Sequence, residues 1–252
     1  MRLRQVALVA RELEPVVADL CSVLGLEVAY HDPDVAVFGL RNALLPVGSQ
    51  FLEVVSPMRH GTTAGRLLAK RGGDGGYMVI LQVDDLVAER ARLAALGVRI
   101  AWEVTLPDAA TIHLHPRDVG GAIVSLDTMA SRDDWRWAGP SWRRAVRTDV
   151  VRGIVGVAVQ AFDPAAMAAR WAEVLARPLR VSGDGAPEVA LEEAGWIRFV
   201  PVGDGRGEGV CALALDVADP DDLRVRARTR GCCTGSGHVL LGGVRVLFDG
   251  DA

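Results

Sequence analysis

Glu53 is the one ionisable side chain in the apolar run FLEVVSP at residues 51–57. A carboxylate that faces a dry space from such a run loses hydration, and its pKa climbs toward the range of a general base. An ion pair with Arg41 or another arginine is the alternative, and the residues leave both open. Gln5 sits in a short alternating stretch. With Val6 and Leu8 on the face that meets a helix, the period of a strand turns Gln5 to the other face, where an amide can orient a carbonyl. His113 and His115 stand two apart on one predicted strand and share a face, so His113 is a candidate acid or proton carrier. His115 precedes Pro116 and reads equally well as a structural strand end. Ser125 is a candidate hydrogen-bond donor. Spacing places no Ser-His-Asp or Cys-His arrangement.

These side chains need strands to hold them, and the hydrophobic periodicity supplies strands and helices in turn. Residues 4–10 alternate, and residues 13–24 carry Val16, Val17, Leu20 and Val23 at helical spacing. Short apolar runs at 35–40, 43–47 and 51–55 then predict three strands, which completes a βαβββ unit. Thr62 or Thr63 caps a short helix to Lys70, and the Gly72-Gly73 pair ends it. A second unit follows: a strand at 78–83, a helix over 86–96 capped by Asp84 or Asp85, and strands near 98–104, 111–115 and 122–126. The glycine-rich RGGDGG at 71–76 follows a helix instead of preceding one, so it reads as a C-cap and turn, with no phosphate-binding terminus.

The second half restates the plan more briefly. Strands are expected at 154–159, 189–191 and 196–200, with a helix from Asp163-Pro164 to about Leu175. A fourth unit takes a strand at 211–215, a helix over 220–230 ending at Gly231, and strands near 238–241 and 245–248. GGAIVSLD at 120–127 and GGVRVLFD at 242–249 share glycines, apolar run and closing aspartate at one spacing. An internal duplication follows, with domains at 1–129 and 150–252. Between them, residues 130–149 form a linker rich in tryptophan. Exposed indoles on a tether are costly, so Trp135, Trp137 and Trp142 are expected to pack across the domains or on a subunit partner, with ligand contact as the alternative.

Composition narrows the function classes. The chain has 252 residues, half of them hydrophobic, and a formal charge of -4 with both signs interspersed. That leaves no electrostatic footprint for nucleic acid or an anionic membrane, and a small-molecule ligand is the expected partner. No signal peptide or membrane span is predicted, so a cytoplasmic protein is expected, as a monomer or homodimer. Cys21, Cys211, Cys232 and Cys233 lack zinc spacing. The adjacent pair reads as free thiols beside a turn, with a vicinal disulfide as the alternative.

The order and spacing of FLEVVSP, GGYMVILQVDDL and HLHPRDVGGAIVSLD across about 120 residues resemble the vicinal oxygen chelate, or glyoxalase-like, superfamily. Residues 51–127 are most similar to methylmalonyl-CoA epimerases. The resemblance implies an α+β fold: four βαβββ modules in two pairs, each pair curling its sheet into a partly open barrel around a cavity. It also implies four inward side chains, one per strand, that hold a divalent metal. The matching positions here are Gln5, Glu53, Met78 and Ser125. A thioether and a neutral hydroxyl are poor ligands for the metals concerned. In the second half the positions are Val155, Arg198, about Ala212, and Leu247. No cofactor is therefore expected. Gln5, Glu53 and a recruited His113 are the weak candidates for a metal.

Two function classes follow. One is an isomerase, epimerase or lyase that abstracts a proton beside the carbonyl of a small carboxylate or thioester. Glu53 is its base, His113 its acid, and Gln5, Met78, Ser125 and Phe51 contact the substrate. Arg66, Lys70 and Arg71 then either meet a nucleotide phosphate or form a solvated helix face. The other is a metal-free binding or sequestering protein that uses the apolar positions Ala7, Val9, Phe51, Val55, Met78, Ile80 and Ile123, which read equally as core. The second half, on either reading, can serve as a structural substitute for a partner subunit.

Overall fold

The computed structural model describes residues 1–234 and 238–248. Asp249, the end of the second closing motif, lies outside them. Seven strands from the first half form one sheet: β1 (Arg2–Val9), β2 (Leu40–Val47), β3 (Gln50–Pro57), β4 (Gly75–Gln82), β5 (Ile100–Thr105), β6 (Ala109–Leu114) and β7 (Ile123–Met129). Their order across the sheet is β2-β3-β1-β4-β7-β6-β5. Strand β1 runs parallel to β3 and antiparallel to β4, and β4 runs parallel to β7. The second half gives another seven: β8 (Val151–Ala161), β9 (Leu179–Val181), β10 (Pro187–Ala190), β11 (Trp196–Pro201), β12 (Gly209–Val217), β13 (Val239–Leu241) and β14 (Val244–Leu247). Their order is β13-β14-β12-β8-β11-β10-β9. Both sheets are open, in a mixed α+β arrangement.

The helices start and stop where their sequences provide partners for the terminal backbone groups. Helix α1 (Leu13–Leu24) ends at Gly25, whose φ of 67° only glycine adopts easily. Thr62 accepts from the Gly65 amide to cap α2 (Thr63–Arg71), and Asp85 caps α3 (Leu86–Ala95). A short α4 (Pro116–Val119) follows His115. In the second half, Asp163 and Asp219, each followed by proline, cap α5 (Pro164–Leu175) and α6 (Pro220–Arg230).

One apolar core runs from the first sheet through the helices into the second. Val6, Leu8, Val54 and Val79 belong to the same buried cluster as Val157, Val159 and Val210. At Gly76 the β4 backbone comes so close to Val210 that any side chain there would overlap it. The concave face of the first sheet has a separate cluster that includes Ala7, Phe51, Val55, Met78 and Ile80.

Two expectations need correction. The apolar residues 35–40 do not form a strand. Pro33–Phe38 is a 3-10 helix, because Asp32 accepts from the Asp34 amide and Pro33 fixes the first turn. Arg71 is not on a solvated face. It is buried and donates from α2 to the Glu208 carbonyl of the second half, with Asp204 at 3.7 Å. Residues 130–149 are folded into 3-10 turns at Arg136–Ala138 and Trp142–Ala145. The four cysteines are free thiols. No helix among the described residues is long and apolar enough to cross a membrane.

Candidate active site

The site is built on an irregularity in β1. The pairing of β1 with β4 shifts register between Leu3 and Gln5, and such a bulge re-aims side chains. Arg4 and Gln5 consequently both reach the concave face. Arg4 lies over the rings of Phe51 and Trp135 at 5.5 and 5.4 Å. Its terminal nitrogen donates to the carbonyls of Asp133 and Asp134. Burial lowers its pKa to about 10, so it stays charged.

Gln5 holds Glu53, and the direction of every bond is determined. The Trp135 indole can only donate, and it donates to Oε1 of Gln5 at 2.7 Å. The amide nitrogen of Gln5 must then face Glu53, to which it donates at 2.9 Å. Asn42 repeats the device: its oxygen accepts the Asp32 amide at 2.8 Å, and its nitrogen donates to the other oxygen of Glu53 at 2.7 Å. Glu53 is thus a buried carboxyl held by two neutral amides. Burial pushes its pKa up, the Asn42 bond pulls it down, the charge of Asp32 pushes it up again and the Gln5 bond pulls it down, leaving it at about 7. Arg41 takes no part. It pairs with Glu14.

A second buried carboxyl stands on the opposite wall. Asp127, on β7, accepts from Thr111 at 3.0 Å, from Ser125, and from the Trp137 indole at 2.7 Å. Burial outweighs these three donors and raises its pKa to about 7. Strands β1 and β4 separate β3 from β7, so the two carboxyls flank the concave floor formed by Met78 and Ile80. His113 lies beyond Ser125 on β6 and packs its ring against Trp102 and Phe38. Burial lowers its pKa to about 4. A neutral ring in an aromatic wall is poorly suited to the acid role expected of it.

The cavity between these walls measures about 1140 Å3, enough for a small-molecule ligand. Gln5, Glu53, Met78 and Ser125 all line it. Phe51 does not. It is fully buried beneath Trp135 and Trp142, with ring centroids 6.0 and 4.9 Å away, so direct ligand contact is corrected to support of the floor. The tryptophans of residues 130–149 belong to this same site instead of bridging the two halves. Arg59, Arg66 and Arg117 stand among the residues at the cavity's rim.

A family model described as a glyoxalase-like domain matches residues 6–175, which is more than half of the chain. The chain belongs to the glyoxalase-like family. Ethylmalonyl-CoA/methylmalonyl-CoA epimerase of Cereibacter sphaeroides is 26% identical over 132 residues, covering 50% of this chain and 96% of that protein. Human mitochondrial methylmalonyl-CoA epimerase is 26% identical over 129 residues, covering 50% of this chain and 73% of that protein. These matches fall on the first half. A solved structure of a 4-hydroxymandelate synthase variant from Streptomyces coelicolor covers 92% of this chain and 75% of its own, with a TM-score of 0.67 and 15% identity. That likeness shows a shared fold over both halves.

The donors do not fit the metal that the glyoxalase-like family implies. The Gln5 oxygen is turned toward Trp135, both Glu53 oxygens already accept amide protons, and Met78 and Ser125 complete the set. No group of three or more His, Cys, Asp or Glu among the described residues is arranged to hold an ion. In the second sheet, Arg198 pairs with Ala158 as Glu53 pairs with Ala7. There Arg198 donates to Glu188 and stacks on Trp196 at 4.3 Å, so an ion pair stands where the first half has its amide-bound carboxyl.

Asn42 and Asp127 were missed by sequence reasoning. Asn42 reads as a turn residue between apolar runs, and Asp127 as the marker that closes a repeat. A polar residue on the inward phase of each strand was the available signal.

Proposed function

We propose that this glyoxalase-like protein is an epimerase-type isomerase that withdraws the proton beside the carbonyl of a small acyl thioester, with Glu53 as the base. The supporting observation is the carboxyl of Glu53, buried on the cavity wall without a cation and held by two amides whose orientations are both determined. A proton acceptor near neutral pH suits abstraction at pH 7, because the acceptor must be both deprotonated and basic. The spare N–H groups of Gln5 and Asn42 are donors for the developing enolate. Tyr77, whose phenol burial and the nearby Glu53 push up to about 12, keeps its proton and is a further donor in the same cavity.

The epimerase relatives supply the substrate class. A 2-alkylmalonyl-CoA carries an acidic α-hydrogen, a carboxylate and phosphates, and Arg59, Arg66 and Arg117 suit the anionic groups. The test is loss of the α-proton signal of methylmalonyl-CoA and ethylmalonyl-CoA in D2O, followed by proton NMR. Wild-type protein exchanges the proton, and Glu53→Gln slows exchange by at least about a hundredfold. No exchange of either thioester by folded wild-type protein defeats the reading.

The rings of Phe38, Trp102 and His113 favour a second reading, a metal-free binding protein that holds an apolar ligand without turnover. Saturable ligand binding with no exchange would favour it.

A further inference from the structure

We propose that the cavity takes an acyl thioester whose α-substituent ends in an aromatic ring, and that Phe38, Trp102 and His113 receive this ring. The inference rests on the epimerase reading above and names the substituent which that reading leaves open.

Three separate elements bring these side chains together. Phe38 closes the 3-10 helix that leads into edge strand β2, Trp102 lies on the opposite edge strand β5, and His113 lies on β6. The two edges of the sheet thus approach one another at the rings. Trp102 reaches the concave side through an irregularity in β5. Ile100 pairs with Leu114 and Trp102 with His113, so Ala101 is an extra residue. Regular pairing would set Ala101 opposite His113 and turn Trp102 to the other face, where Ile112 and Leu114 join the buried core. Phe38 is fixed from both ends of its helix. Asp32 caps the start, and Gly39 ends it with a φ of 72° and an amide donated to the Ala36 carbonyl. The Asp32 amide also donates to Asn42, which holds Glu53, so the ring wall and the base share one support.

The rings are set to receive another ring. Phe38 meets Trp102 edge to face, with centroids 5.0 Å apart and planes at 72°, and His113 is tilted by 48° to Trp102 at 4.7 Å. Such a corner offers a ring face and a ring edge together, the two approaches that aromatic pairs favour. All three line the cavity and none is fully buried; Phe38 keeps 36% of its surface exposed. A methyl substituent leaves these ring surfaces in water. An aryl group on the α-substituent covers them, and burial of that apolar surface favours its binding.

The test compares α-proton exchange in D2O of methylmalonyl-CoA, benzylmalonyl-CoA and cyclohexylmethylmalonyl-CoA, which share the thioester, the carboxylate and the α-hydrogen. Wild-type protein should exchange the benzyl compound with a kcat/KM at least about tenfold above that of the methyl compound, and at least about threefold above that of the cyclohexylmethyl compound. In Trp102→Ala and Phe38→Ala the preference for benzyl over methyl should fall to within about threefold, chiefly through KM. Residual exchange of methylmalonyl-CoA reports that each variant is folded, and the wild-type preference stands as a test without either. A benzyl compound exchanged by wild type no more than about threefold better than the methyl compound, or a preference unchanged in both variants, overturns the proposal and leaves the Glu53 reading intact. Equal exchange of the benzyl and cyclohexylmethyl compounds also overturns it, because size and not ring contact then sets the preference. Absence of exchange with all three in folded wild-type protein defeats both.

Discussion

The indole N–H of Trp135 donates to the side-chain carbonyl of Gln5 at 2.7 Å, and this bond determines which end of the amide meets Glu53. Residues 130 positions apart thereby set the chemistry of a third. The linker is part of the site because it fixes a hydrogen-bond direction that β1 and β3 leave undetermined.

Trp135→Phe removes that constraint. The buried Gln5 oxygen loses its donor, which costs about 1–3 kcal/mol, and the amide can turn its oxygen toward Glu53. A carbonyl facing a carboxylate disfavours the ionised form, so the Glu53 pKa rises further. Urea denaturation should show the lost stability, and the pH dependence of exchange should move upward. An unmoved pH dependence would remove Trp135 from the account.

Stability should fall as pH rises through neutrality. Glu53 and Asp127 have folded pKa values raised to about 7, above those of unfolded carboxylates. Between about pH 4.5 and 7 the folded state therefore holds protons that the unfolded chain has released, and the slope of stability with pH is negative. Their contribution is full below about pH 4 and lost above 7, at most about 3 kcal/mol for Glu53 and about 4 kcal/mol for Asp127. Glu53→Gln and Asp127→Asn should each flatten the decline between pH 5 and 8 in denaturant melts. A wild-type profile that rises across this window would contradict the burial of both groups.

Much of this was legible in the sequence, for a physical reason. Alternation against Val6 and Leu8 turns Gln5 inward, and an acid in an apolar strand marks Glu53. The two open sheets follow from the repeated order of strands and capped helices. What was not legible depends on contacts remote in sequence. Nothing local tells that Trp135 meets Gln5, that Trp137 meets Asp127, or that Arg71 crosses to Glu208. The run Val35, Val37 and Phe38 has a strand's composition, but Asp32-Pro33 ahead of it starts a tight turn, and local capping prevails over propensity.

The close approach of β4 and β12 predicts that Gly76 tolerates no side chain. Gly76→Ala drives a methyl into Val210, and overpacking of this kind costs about 1–3 kcal/mol. The urea midpoint measures it, and wild-type stability would contradict the contact between the sheets.

His113 should act through its ring and not through a proton. With its pKa lowered to about 4, His113→Phe preserves the contacts with Phe38 and Trp102 and lowers turnover by less than about tenfold, where a lost general acid costs a hundredfold or more. Trp102→Ala should raise KM more than it lowers kcat. A hundredfold fall in kcat for His113→Phe would restore the acid role.

The most direct measurement is the rate of α-proton exchange of methylmalonyl-CoA in D2O as a function of pH, for wild-type protein and Glu53→Gln. The wild-type rate is expected to rise to a plateau with a midpoint of about 7 and to fall by at least about a hundredfold in the variant. Exchange in Glu53→Gln within about tenfold of wild type, or a midpoint near that of an ordinary carboxylate, would contradict Glu53 as the base.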